Sequence, residues 1–415
     1  MNIDKIRHAF NLRENLRDIY VPDNTRMMFM DGLRCLGMFH IMLTHSLWAF
    51  LAGFHDQFQP FIQQVPWYMR WMLAGDKAVD LFFVISGFLI GQMLFREHNK
   101  TGTINLKRFF LRRFWRLTPA YYTVILLFAI FMTGPNIDKR WLWAFVFYVN
   151  NYISADHNYI SYAWSLAIEE QFYALFSLLV AFLFYRIRHQ QYFLWTLFVF
   201  SFAVIFALLL LHPDIVLSVD TLISKVTPKA DRFWEIIYDN LHTRYGAIVL
   251  GIILAHWYVY HWEKVQSIMT IRRCWLMLLT AFGLMTLSMI LPVYNSMDTP
   301  KWLLYFYHVT HRNLFAMGIM FIMMLSLLDI GVGAKVNRFL SSRIFFSVSQ
   351  LTYPMYLLQL PVIVVCYLGL KYAGVISEIS FANAFLVWAC ALLPTMFVST
   401  LMNVFIERPF MKLRT

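Results

Sequence analysis

Ten apolar runs recur along this chain, each long enough to cross the roughly 30 Å hydrocarbon core of a bilayer as a helix of about 20 residues. They lie at 33–51, 78–95, 117–133, 164–185, 192–211, 244–262, 275–293, 311–330, 346–370 and 381–405. Lipid offers no partner to a backbone amide, so a run of this length has to satisfy its own N–H and C=O groups as a helix. The fold class expected is therefore all-α, a polytopic transmembrane helix bundle. Composition agrees: 60% hydrophobic and 14% charged residues exclude a soluble globule. The apolar stretch Trp141 to Val149 is too short to span and reads as an interfacial or re-entrant piece. One transmembrane domain, 31–410, is expected between an N-terminal segment, 1–30, and a short tail, 411–415.

A formal net charge of +12 would suit a nucleic-acid partner. In a chain this apolar the positive-inside bias accounts for it, so the expected partner is the lipid bilayer and no nucleic acid. With the N-terminus inside, 24 of the 35 Lys and Arg residues fall on the cytoplasmic side, which favours this orientation and puts both termini in the cytoplasm. The first 28 residues contain no short apolar core followed by a small-residue cleavage site, so no cleavable signal is read there. Cys35, Cys274, Cys366 and Cys390 show no paired spacing, which points away from a disulfide framework, and no metal site is expected. The longest external loop, about 212 to 243, is either a lid or acceptor-binding loop or a structural hairpin.

The ionisable residues inside the runs narrow the function. The first run opens at Asp31-Gly32-Leu33-Arg34 and reaches Thr44-His45-Ser46. Eleven residues separate Arg34 from His45, about three helical turns, so the two side chains share one face roughly 16 Å apart. An ionisable group within a span costs roughly 2.5 kcal/mol or more unless it faces a cavity or a partner, which makes His45 a candidate site residue. Its alternative role is a hydrogen bond across a helix interface. The second run opens at Asp80 and carries Ser86-Gly87 near its middle, a small pair that lets another backbone approach. Before the third run, Arg112, Arg113 and Arg116 place guanidinium forks suited to phosphate on a basic cytoplasmic segment, where they equally set topology.

In the fourth run Ser165, Glu169 and Phe172 share a face by i, i+4, i+7 spacing, with Glu170 about 100° round. Glu169 and His45 both fall in the outer half, so the carboxylate is expected to orient the imidazole, a structural salt bridge being the alternative. Arg244, with Gly246 and Gly251, opens the sixth run. His311-Arg312 opens the eighth, and the ninth carries Thr352-Tyr353-Pro354-Met355-Tyr356 and then Gln359.

Together these segments resemble the acyltransferase 3 family of integral membrane acyltransferases, in its stand-alone form. The marks are Arg34 and His45 eleven apart, Asp80 with the Phe-Phe-Val-Ile-Ser-Gly-Phe-Leu run, Arg112-Arg113-x-x-Arg116, and Trp164-Ser-Leu-x-x-Glu-x-Gln-Phe-Tyr173, in that order. The resemblance implies transfer of an acyl group, acetyl above all, from cytoplasmic acyl-CoA to a hydroxyl of an extracytoplasmic acceptor, commonly a glycan. Acyl-CoA is then a donor substrate and no cofactor is held permanently. By the same resemblance His45 is catalytic and the arginine triplet is associated with the donor. This chain departs at two positions: Gln359 stands where many relatives have histidine, and Ala247 where many have a glutamate three residues after the arginine matching Arg244.

The mechanism expected is direct transfer, with His45 as general base, oriented by Glu169, and Arg34 holding the donor alongside the triplet. Ser86 or Tyr353 is the candidate oxyanion donor, and Asp80, Ser165 and Arg244 support the site. An acyl-histidine route fits the same residues. The rival reading is a proton-coupled transporter or flippase using Arg34, His45 and Glu169 as its pathway, although no inverted repeat is visible. The expected location is a plasma membrane, the inner one in a bacterium.

Overall fold

The computed structural model describes residues 3–21, 27–131, 139–154, 157–158, 160–291, 293–295 and 298–413. Among them no strand occurs. Ten long helices carry the expected runs: α1 (Phe29–Trp48), α2 (Asp76–Thr101), α3 (Leu106–Phe131), α4 (Trp164–Phe182), α5 (Gln190–Leu211), α6 (Leu241–Tyr260), α7 (Ile271–Ile290), α8 (Lys301–Leu328), α9 (Phe346–Tyr372) and α10 (Phe381–Met402). Two begin about three turns earlier than their apolar runs, α3 through Lys107–Arg116 and α8 through Lys301–Thr310. A helix needs apolar side chains only where lipid or protein covers it, so hydropathy alone clips its polar first turns.

Helix ends follow local chemistry. Thr270 caps α7 by accepting from the Arg273 N–H at 3.3 Å, and Ser380 caps α10 by accepting from Asn383 at 3.1 Å. Gly102 closes α2 at φ +70°, a left-handed conformation that costs glycine little.

Eight of the described helices are each long and apolar enough to cross a membrane. A ninth span is counted if α1 and the following helix Leu51–Gln63, bent from it by 95°, form one. The exception among the ten expected spans is α6, whose apolar character is diluted by His242, Arg244 and His256. It is nonetheless buried almost throughout from Thr243 to His256. Trp141–Val149 forms only short helical turns, Lys139–Trp141 and Leu142–Val146, too brief to span.

The chain divides into two compact units. The first comprises residues 1–52, 105–146 and 338–415 and contains α1, α3, α9 and α10. Here α9 packs against α1 and α10, and the Trp388 indole donates to the Phe39 carbonyl at 3.2 Å. The short helices Ile3–Ala9 and Leu12–Tyr20 lie against a π-helical turn, Asn403–Glu407, and a final helix, Arg408–Leu413.

The second unit comprises residues 53–104 and 147–337, with α2 and α4 to α8. Its most extensive helix pair is α2 with α6. A Cβ on Gly87 of α2 would collide with the Ile248 carbonyl of α6, and one on Gly251 of α6 with the Val84 carbonyl of α2. The two glycines thus let two backbones meet with no side chain between them, as the Ser86-Gly87 pair suggested. The 212–243 segment is folded rather than open. It runs through the helical turns Pro213–Ile215, Val219–Ser224, Pro228–Phe233 and Trp234–Tyr238, and buried Asp220 accepts from Gln63 and Gln59 at 2.7 and 3.1 Å.

Candidate active site

In the first unit α1 presents His45 toward α9, where Gln359 Nε2 lies 2.7 Å from His45 Nδ1. Gln359 is fully buried, and the Trp48 ring stands 5.5 Å from the imidazole one turn along α1. With the amide nitrogen facing it, Nδ1 is an acceptor and the ring hydrogen sits on Nε2. A half-turn of the amide presents Oε1 instead, which requires hydrogen on Nδ1 and leaves the Nε2 lone pair for chemistry. Either way Gln359, a polar residue within the apolar run of α9, is the side chain that holds the candidate base. The signal that could have found it was a polar residue standing in an apolar run.

Arg34, three turns before His45, is half-buried, and its Nη1 lies 3.6 Å from Asp31 Oδ1. Asp31 also accepts from the Ser349 hydroxyl of α9 at 2.8 Å, so α1 is tied to α9 at both levels. On α3, Arg112 and Arg116 are exposed and Arg113 is half-buried. Between them Trp115 stacks on Phe410 at 5.9 Å, and Arg116 lies in the field of Glu407. The triplet therefore sits against the C-terminal helical turns, on a basic and accessible end of α3. Tyr353 donates its hydroxyl hydrogen to the Leu117 carbonyl at 3.0 Å.

In the second unit Glu169 of α4 accepts from the Ser86 hydroxyl of α2 at 2.9 Å and from Tyr173 at 2.9 Å. Ser165 is buried and donates to the Tyr162 carbonyl at 3.5 Å. Both candidate oxyanion donors, Ser86 and Tyr353, thus direct their hydrogens at internal acceptors. His45 and Glu169, expected as a pair, belong to different units, and each has the partners named within its own. Gln171, two residues after Glu169 and so about 200° round the helix, donates to the Tyr148 carbonyl and to Asn151 Oδ1, both at 2.7 Å, and fixes α4 to the segment before it.

Asp80 and Arg244, read as supporting residues, meet directly. Arg244 Nη2 lies 3.4 Å from Asp80 Oδ1, and Arg312 Nη1 lies 3.5 Å from Asp80 Oδ2. Among the described residues no group of three or more His, Cys, Asp or Glu is placed to hold a metal ion.

An all-helical bundle of membrane-crossing length, with a half-buried imidazole on its first long helix and a basic cluster on its third, defines the class: a polytopic membrane protein with internal polar sites. Residues 28–404 match the family model described as an acyltransferase domain, and the chain belongs to that acyltransferase family. Among curated proteins it is similar to the O-acetyltransferase OatA of Staphylococcus aureus (strain NCTC 8325 / PS 47). The two are 29% identical over 313 residues, 71% of this chain and 47% of that protein. It is also similar to a putative O-acetyltransferase of Staphylococcus aureus (strain COL), 31% identical over 204 residues, 45% of this chain and 31% of that protein. The chain thus spans about half the length or less of these relatives. No solved structure matches.

Proposed function

We propose that this protein is a membrane O-acyltransferase that moves an acyl group, acetyl above all, from acyl-CoA to a hydroxyl of an extracytoplasmic acceptor such as a cell-surface or lipid-linked glycan. The observation that carries the reading is the hydrogen bond between Gln359 and His45 Nδ1, which orients an imidazole on a membrane-crossing helix. Family membership and the names of the relatives support the reaction class.

In this reading Gln359 Oε1 accepts from Nδ1–H, and Nε2 takes the proton of the acceptor hydroxyl as its oxygen attacks the thioester carbonyl. The C–S bond breaks, and the departing thiolate recovers the proton from the imidazolium. Base catalysis of this kind contributes about 10² to 10⁴ in rate, and positioning of donor and acceptor contributes more. Arg112, Arg113 and Arg116 are the donor's phosphate contacts, with Arg34 as an inner cation on the path toward His45. Glu169, on α4 of the second unit, is held by Ser86 and Tyr173 and is a carboxylate on which the reaction depends in this reading. The protein acts in a plasma membrane with both termini cytoplasmic.

The test is acyl transfer by the purified chain in nanodiscs, with labelled acetyl-CoA and soluble glycan acceptors. Label should appear on acceptor oxygen in an alkali-labile linkage. Absence of both transfer and acetyl-CoA hydrolysis, from protein that is monodisperse, would sink the proposal.

A further inference from the structure

The side chains of the short helix Leu12–Tyr20, in the first unit, fall into four sectors at about 100° per residue. Asn15 and Ile19 are buried, and Asn15 Nδ2 donates to the Ala9 carbonyl at 3.0 Å and to the Val404 carbonyl at 3.2 Å. Beside them Leu12, Leu16 and Tyr20 form an apolar stripe, exposed at 49%, 44% and 57%. Arg13 and Arg17, both exposed, flank that stripe. The acids take the remaining sector. Glu14 and Asp18 each lie 3.5 Å from Lys412, Asp18 lies 3.7 Å from Arg408, and Glu14 lies 3.2 Å from His8.

A helix that faces bulk water carries acids and bases together on its outer surface. Here both acids of the helix are turned to partners within the unit, and the outward face keeps only carbon and positive charge. Among the described residues neither Arg13 nor Arg17 is in an ion pair.

The position of the helix says what lies opposite that face. Nine residues are too few to hold a helix in water unaided, and this one is fixed at its start and along its side. Asn11 caps it by accepting from the Glu14 N–H at 3.3 Å, and it packs against the turn Asn403–Glu407. That turn follows directly on α10, whose 22 residues rise about 33 Å, close to the thickness of the hydrocarbon core. Packed helices have axes about 8–10 Å apart, and the headgroup layer is about 5–7 Å deep on each side of a bilayer. Contact with the end of a span therefore holds Leu12–Tyr20 at the level of the headgroups.

We propose that Leu12, Leu16 and Tyr20 dock on the bilayer surface at which α10 ends, with Arg13 and Arg17 on anionic headgroups, so that the partner of this face is acidic phospholipid. The two leucines bury carbon at the acyl boundary while the tyrosine keeps its hydroxyl among the headgroups, and the arginine stems reach outward along the same boundary. A second copy of the chain fits the face less well. A two-fold contact through the same stripe sets Arg13 and Arg17 against their own counterparts, and the acids that could answer them are already paired.

The test uses the full chain, its four cysteines replaced by serine, in nanodiscs of phosphatidylcholine alone or mixed with phosphatidylglycerol at equal ionic strength. An environment-sensitive fluorophore on Leu16→Cys should emit at shorter wavelength in the mixed discs and be quenched there by lipids brominated on their chains. The same label on Glu14→Cys should stay in water. An arginine near an anionic surface is worth about fivefold in the ratio of docked to free helix, so Arg13→Gln combined with Arg17→Gln should cut that ratio roughly 25-fold. Concentrated salt should act in the same direction. Water-like emission from Leu16→Cys in both compositions overturns the proposal, as does quenching indifferent to phosphatidylglycerol or to the two glutamines. A label shielded from water but unquenched by brominated chains, in discs that hold two chains, puts a second copy on the face and overturns it as well. The unmodified protein supplies a check that needs no substitution. Amide hydrogens of residues 12–20 should exchange more slowly in the mixed discs, and equal exchange in the two compositions counts against lipid docking even if the cysteine-free chain does not fold.

Discussion

In the proposed reaction His45 is the general base, and its replacement has a clear signature. His45→Ala removes the base together with a polar group from a span, so acyl transfer should fall to background while the protein still inserts and purifies normally. His40, on the same helix but about 140° round, is the control, and His40→Ala should retain most activity in the same acetyl-CoA assay. Gln359→Leu keeps the volume of the side chain but leaves the His45 tautomer unset. It should lower kcat about tenfold or more with little change in KM for acetyl-CoA, a split that a general loss of stability would not give. Transfer by His45→Ala at the parent's rate would remove the mechanism. His45 was legible in the sequence because an ionisable group inside an apolar run is conspicuous against its surroundings. Gln359 was not, because the two residues are 314 positions apart and a sequence does not say which face of α9 meets which face of α1.

At the scale of single helices, the sequence located every long element but not its partners. Apolar runs place a helix because the backbone has no other solution in lipid, whereas the choice of neighbour depends on which small residues come face to face. Gly87 and Gly251 make that choice for α2 and α6. Gly251→Ala should therefore destabilise the protein by about 1–3 kcal/mol, read as a lower unfolding temperature in detergent. Gly283 on α7, where an added Cβ meets nothing within 4 Å, is the matched comparison, and Gly283→Ala should be neutral or stabilise by up to about 1 kcal/mol. Equal losses at both positions would mean that the close approach of α2 and α6 is not what these glycines serve.

The end of α3 carries a second prediction at this scale. Arg113→Ala or Arg116→Ala should weaken acyl-CoA binding about ten- to hundredfold, because a hydrogen bond to a charged group is worth roughly 1.5–3 kcal/mol. Lysine at either position should recover only part of the loss, since it keeps the charge without the fork. Parent-like acyl-CoA affinity in all the alanine variants, with altered membrane orientation, would reduce the triplet to a topology signal.

For the whole molecule, the two ends of the described chain set a parity that individual helices do not. Asn15 Nδ2 donates to the Val404 carbonyl at 3.2 Å, Arg408 Nη2 donates to the Asp18 carbonyl at 3.3 Å, and Lys412 lies 3.5 Å from both Glu14 and Asp18. Segments in contact on this scale occupy the same side of a membrane, so the number of crossings between them is even. Counting α1 with its bent continuation gives nine spans by length and apolarity, which is odd. The tenth is α6, whose ionisable residues His242, Arg244 and His256 disguise it to any measure of apolarity. Burial within the second unit is what makes those residues tolerable at membrane depth, and the hydropathy of a helix cannot register what its neighbours will be. If α6 crosses, the segments on either side of it lie in opposite compartments. The positive-inside bias assigns the more basic side, with 24 of 35 Lys and Arg, to the cytoplasm. In a background with the four native cysteines replaced by serine, exposed Lys225→Cys should react with an impermeant maleimide in intact cells. Exposed Lys264→Cys should react only after permeabilisation. Labelling of both positions from the same side would show that α6 does not cross, and the even count would then have to come from Leu51–Gln63 turning back after α1, with the first crossing removed from the tally.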